Sequence, residues 1–80
     1  MLEALKTAKK VVGVKQLRRA LNEHHVLQVF LADDADPQLT EPLEQQCKGE
    51  RIPVIRVDTM RELGKACGIS VGSACAAIVR

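Results

Sequence analysis

The run Val26-Leu27-Gln28-Val29-Phe30-Leu31-Ala32 constrains the fold more than any other segment of the chain. It is almost continuously apolar and rich in β-forming residues, without the polar alternation of a strand that has one wet face. Such a strand must be covered on both sides and should lie centrally in a layered α/β domain. With 80 residues in all, there is enough chain for one core, since a domain this small buries only roughly 60 to 65% of its unfolded surface.

The flanking sequence supplies the layers. Leu2, Leu5 and Ala8 recur at helical spacing and predict a short helix from Leu2 to Lys9, followed by a brief strand at Val11-Val12-Gly13. From Lys15 to about Glu23 the period is again 3.6, with Leu17, Ala20 and Leu21 as the apolar stripe. After the central strand, Asp36 is an N-cap and Pro37 a first helical residue, where its missing N–H costs nothing. Pro42 leaves two alternatives: a kinked helix from Pro37 to Cys47, or a second start at Thr40. Gly49 should end that helix, and Ile52 to Val57 predicts a further strand with Pro53 before its paired portion. Thr59-Met60-Arg61-Glu62 has the form of a capping box, so a fourth helix should run to Cys67, with Gly68 at its C′ position. Ala74 to Val79 completes the set. Alternating helices and strands predict an α/β domain spanning residues 1–80, a three-layer α/β/α sandwich around a four-stranded mixed sheet.

Composition narrows function. Charged residues make up 28% and apolar residues 46%, as in an ordinary globular domain. No apolar run approaches the roughly 20 residues of a membrane span, and the N-terminus, with Lys6, Lys9 and Lys10, lacks a signal-peptide core. A cytoplasmic protein without a membrane partner is expected. Cys47, Cys67 and Cys75 form no C-x-x-C knuckle and read as buried free thiols. His24 and His25 are adjacent, point about 100° apart on a helix and have no third ligand nearby, so they read as helix-end polar residues. No metal or cofactor is expected. Phe30 is the single aromatic residue, which excludes RNA recognition by stacking bases on aromatic platforms.

Two segments remain that the core does not account for. In the first, Gly13-Val14-Lys15-Gln16-Leu17-Arg18-Arg19, a strand hands over to a helix N-terminus, whose free N–H groups suit phosphates or base edges. With Lys15 set at 0° and about 100° per residue, Gln16 lies at about 100° and Arg19 at about 40°, while Leu17, Ala20 and Leu21 lie near 200°, 140° and 240°. The polar trio faces away from the core. A first turn normally favours acids, and this one carries Lys15 and Arg19 instead. Lys, Gln and Arg are also side chains that read base edges. A net charge of +2 is compatible with such a local patch. In the second segment, Leu63 to Ile78, a helix end leads into Gly68-Ile69-Ser70-Val71-Gly72, an aliphatic tip where loops are usually polar. Something should pack against it.

Together, Val12-Gly13-Val14-Lys15-Gln16-Leu17-Arg18-Arg19, Ala32-Asp33-Asp34-Ala35-Asp36-Pro37, Ile52-Pro53-Val54 and Leu63-Gly64-Lys65-Ala66-Cys67-Gly68-Ile69-Ser70-Val71-Gly72 resemble, in order and spacing, the ribosomal protein L7Ae/L30e family. The resemblance covers essentially the whole chain and is closest to the short bacterial YbxF-type members. It implies an RNA-binding protein for kink-turns, sharply bent helix-bulge-helix elements built around tandem sheared G·A pairs in ribosomal or regulatory RNA, and a monomer associated with the ribosome. Carried over by position, Gly13 would permit close backbone approach. Lys15, Gln16 and Arg19 would contact the guanines and nearby phosphates, and Ile69, Ser70 and Val71 would cover the bulge, with the loop glycines approaching nucleotides. Asp36 would lie beside the flipped-out bulge base. Lys15-Gln16 replaces the archaeal Asn-Glu form, Val14 replaces a frequent Thr, and Met60 stands where many members have Lys.

Two other classes compete with this reading. A protein-interaction adaptor would use the same apolar loop. A small enzyme would need Cys67 or Cys75 with His24 or His25, or a site built on Asp33, Asp34 and Asp36, but no triad spacing converges.

Overall fold

The structure, a computed structural model, describes residues 4–80. Its elements are α1 (Ala4–Thr7), β1 (Lys10–Val12), α2 (Val14–Asn22), β2 (Val26–Ala32), α3 (Pro37–Gly49), β3 (Val54–Val57), α4 (Met60–Ala66) and β4 (Cys75–Val79). The beginning of the predicted first helix lies outside the described residues. The strands form one sheet in the order β1-β4-β2-β3, antiparallel at β1–β4 and β4–β2 and parallel at β2–β3. The sheet is mixed and four-stranded, as expected, with β2 inside it.

Side-chain alternation divides the core in two. Val29 and Leu31 of β2, with Cys75, Ala77 and Val79 of β4, pack against Leu17, Ala20 and Leu21 of α2 and Leu43 and Cys47 of α3. Phe30 and Ala32, with Ala76 and Val57, pack on the opposite face against Leu5 of α1 and Leu63 and Ala66 of α4. Large residues of β2 lie opposite small residues of β4: Val29 against Ala77, Phe30 against Ala76 and Leu31 against Cys75. This pairing fits bulky side chains into a thin sheet centre with helices on both faces. Phe30 is fully buried, a contribution of about 1.5–3 kcal/mol.

The strand is not buried along its whole length. Its register with β4 slips between Val26 and Gln28, so Leu27 is the extra residue of a bulge and is 47% exposed. The bulge also restores Val26 to the face of Val29 and Leu31.

Helix ends follow local chemistry. The Asp36 carboxylate accepts from the N–H of Gln38 at 2.9 Å, and the helix runs unbroken from Pro37 through Pro42, which settles the alternative at Thr40. Gly49 is the last helical residue and not the stop. Arg51 takes the positive φ, 58°, while the N–H groups of Arg51 and Ile52 donate to the carbonyls of Lys48 and Cys47. The helix α2 ends in the same way, with His24 at φ 58° and the His24 and His25 N–H groups donating to Leu21 and Ala20. Both histidines are helix-end residues, as predicted.

At the start of α4 the Thr59 hydroxyl accepts from the Glu62 N–H at 3.0 Å. The carboxylate of Asp34 accepts from the Met60 N–H at 2.7 Å, which ties the loop after β2 to this helix. Asp34→Ala removes the acceptor from a helix N-terminus and is expected to cost about 1 kcal/mol, measurable as a lower urea midpoint at unchanged slope. Asp34→Asn should lose less.

Candidate nucleic-acid interface

Antiparallel pairing brings three chain segments to one end of the sheet. β1 ends there at Val12 opposite Ala76, β2 ends there beside Cys75, and β4 begins there. The Gly13 turn, the Asp33–Asp36 loop and the segment from Gly68 to Ala74 therefore emerge together. One carbonyl joins two of them: that of Cys75 accepts the Gly13 N–H at 3.0 Å and the hydroxyl of Ser73 at 2.7 Å. The neighbouring Ala74 carbonyl accepts the Ala32 N–H at 2.9 Å. Nothing in the sequence marks Ser73 or this carbonyl, because the contact depends on strand pairing.

The Gly13 turn depends on its glycine. Gly13 has φ 98° and ψ 160°, a region essentially restricted to glycine. A Cβ there would meet no atom within 4 Å, so the requirement is conformational. Gly13→Ala is expected to destabilise the fold by about 1–3 kcal/mol, read as a lower melting temperature with the sheet signal retained.

Gly13 gives α2 no side-chain cap, and the first turn holds no acid. Lys15 and Gln16 are exposed in that turn, whereas Arg19 is exposed in the last turn of α2 and not in the first as expected, at the helix end where the dipole favours a cation; Leu17 and Ala20 are buried behind. Gln16 folds back, its Oε1 accepting from the Val12 N–H at 3.4 Å. A backbone N–H can only donate, so the Gln16 carboxamide turns its two N–H donors outward. Arg19 makes an exposed ion pair with Glu23 at 3.7 Å, a contact of little net worth.

The second segment is built against α4. Gly68 has φ 81°. Its N–H donates to the Lys65 carbonyl at 3.0 Å and that of Ile69 to Gly64 at 3.1 Å, the double closure of a Schellman motif. The chain then returns along the helix, with the Ser73 N–H donating to Met60 at 3.0 Å. A Cβ on Gly64 would overlap the Val71 carbonyl oxygen, and one on Gly72 would lie 3.1 Å from the Met60 Cβ. The loop glycines thus serve the turn and its packing on α4 within the protein itself. Ser70 is exposed, Ile69 is partly so, and Val71 is 68% exposed.

Asp36 lies at the same end of the sheet, its carboxylate engaged as the α3 cap. Asp33 pairs with the Arg56 guanidinium at 2.7 Å, and Glu44 approaches that guanidinium at 3.5 Å. These acids have structural partners. Among the described residues no group of three or more His, Cys, Asp and Glu could hold a metal ion.

All three cysteines are buried free thiols, as predicted. Burial pushes Cys47 up to about 11, with Glu50 and Glu44 adding to it. Burial also pushes Cys75 up to about 11, with Cys67 contributing. Cys67 is raised by burial against the opposing charge of Lys10. Thiols so held are protonated at neutral pH and poor nucleophiles.

Comparison with known proteins agrees with this architecture. The model of the ribosomal protein L7Ae/L30e/S12e/Gadd45 family matches residues 1–80. An RNA-binding protein of Geobacillus sp. (strain WCH70) is 46% identical over 78 residues, 98% of this chain and 95% of its own. RNA-binding protein YbxF of Geobacillus stearothermophilus is 42% identical over the same share of each chain. Among solved structures, the Giardia lamblia 15.5kD RNA binding protein superposes with a TM-score of 0.88 at 26% identity, covering 99% of this chain and 70% of that one. The chain belongs to the ribosomal protein L7Ae/L30e/S12e/Gadd45 family.

Proposed function

We propose that this protein binds structured RNA and stabilises kink-turns, acting as a binding module and not as an enzyme, in the cytoplasm and in association with ribosomal or regulatory RNA. The observation that carries the reading is the Cys75 carbonyl, which holds the Gly13 turn and the end of the apolar loop side by side. Lys15, Gln16 and Arg19 would engage the G·A pairs and their phosphates. Ile69, Ser70 and Val71 would cover the bulge, with Asp36 at its edge. A single copy offers both halves, so a monomer suffices. The RNA-binding relatives and the absence of aromatic platforms support recognition of RNA shape by groove contacts.

A ligand shifts a conformational equilibrium by its differential affinity for the two states. The protein should therefore draw a kink-turn RNA into its bent form, read as increased energy transfer between dyes on the two arms. Arms that stay extended at saturating protein would refute the proposal. An adaptor that docks Val71 on a protein partner would show little salt dependence, whereas RNA binding should weaken steeply with salt.

A further inference from the structure

A groove of about 350 Å³ runs from the outer face of α2 across the edge strand β1 to the end of β4. Lys9, Gln16, Arg19, Glu23, His25 and Arg80 supply its polar lining over a floor that includes Val11, Ala20 and Val79. Backbone bonds fix the far wall. The Val79 N–H donates to the Lys9 carbonyl, and the Arg80 N–H to that of His25, both at 2.9 Å. Three chain segments distant in sequence, at Lys9, His25 and Val79-Arg80, are thereby held beside one another. Three side-chain cations face one side-chain carboxylate here, and the imidazole of His25 keeps an N–H donor in either protonation state.

We infer that this groove seats backbone phosphates of the RNA stem that continues from the kink, with Lys9 and Arg80 as phosphate ligands beyond the Gly13 turn. The inference rests on the proposed RNA-binding role, because Gln16 and Arg19 belong to both surfaces and make the groove continuous with it. Its open, cationic and aliphatic-floored form suits a passing sugar–phosphate strand, with no Phe, Tyr or Trp platform for a base. Glu23 is the opposing element. Its carboxylate lies 3.7 Å from the Arg19 guanidinium and 3.9 Å from the His25 ring, where it competes with a phosphate for the same donors.

The test is affinity against salt concentration, by fluorescence anisotropy, for the intact chain, a Lys9→Gln/Arg80→Gln variant and Glu23→Gln. The probe is a kink-turn RNA with long helical arms, beside one with arms trimmed close to the G·A pairs. On long arms the double variant should lose on the order of tenfold in affinity at ~0.1 M salt, and its log–log salt slope should fall by about 2. On trimmed arms it should match the intact chain. Glu23→Gln should bind long arms several-fold more tightly, an outcome that misfolding cannot produce. An unchanged slope for the double variant on long arms would overturn the groove assignment, as would equal losses on both RNAs. If the intact chain does not distinguish the kink-turn from a Watson–Crick duplex, the kink-turn reading fails alone, and the salt slope on that duplex still reads the groove.

Discussion

Gly64→Ala is expected to lower folding stability by about 1–3 kcal/mol and to weaken RNA binding by more than that loss explains. An alanine Cβ at this position would overlap the Val71 carbonyl oxygen and lie 3.0 Å from its carbon and 3.1 Å from the Gly72 Cα. All three neighbours are backbone atoms, which no rotamer change can move aside. The helix cannot retreat, because Leu63 and Ala66 on either side of Gly64 are buried in the core beneath it. The segment carrying Ile69 and Val71 must therefore lift away from α4, which strains the Ile69 N–H bond to Gly64 and the Ser73 N–H bond to Met60. Because the Ser73 hydroxyl shares the Cys75 carbonyl with Gly13, the two halves of the site should separate. Chemical denaturation measures the first effect. Binding at a temperature where the variant stays folded measures the second.

The double substitution Lys15→Ala/Arg19→Ala should act in the opposite manner, abolishing function at almost no structural cost. Both side chains are exposed, and the Arg19 ion pair with Glu23 is a surface contact at 3.7 Å, worth under about 0.5 kcal/mol. Alanine is the best helix former, so α2 should keep or gain stability. On the RNA side, each lost cation removes a base-edge or phosphate contact of roughly 1–3 kcal/mol, so affinity should fall by on the order of 10² or more. The salt slope should become shallower by about 2. Wild-type affinity in this variant would remove the α2 turn from the interface.

Much of this architecture is legible in the chain because local rules and tertiary packing agree. Asp36-Pro37 and Thr59 announce helix starts that the structure confirms, and Val29 to Ala32 read as a strand covered on both faces because they are. Leu27 departs from that pattern because a bulge is a property of a strand pair, set here by where β4 can align. The end of α3 was displaced for a similar reason: Arg51 accepts a left-handed conformation that glycine would be expected to fill, since Ile52 and Val54 beyond it are drawn into the core. The glycines of α4 and the loop after it show the limit most clearly. Their spacing predicts an unusual turn, but the sequence does not reveal that Gly64 and Gly72 accommodate the protein's own backbone and the Met60 side chain. The basic groove is still less visible, because Lys9, Arg19, His25 and Arg80 meet only through the antiparallel edge of the sheet.

The proposed function requires that two adjoining segments, one polar and one aliphatic, recognise a particular RNA shape. Its most direct test is a gel shift with two RNAs, a kink-turn duplex and the same duplex with its G·A pairs replaced by Watson–Crick pairs. Both present the same number of phosphates, so counterion release alone cannot separate them. The expected result is a shifted band on the kink-turn at protein concentrations lower by a factor on the order of 10³ than on the control. Equal binding to the two RNAs would contradict it.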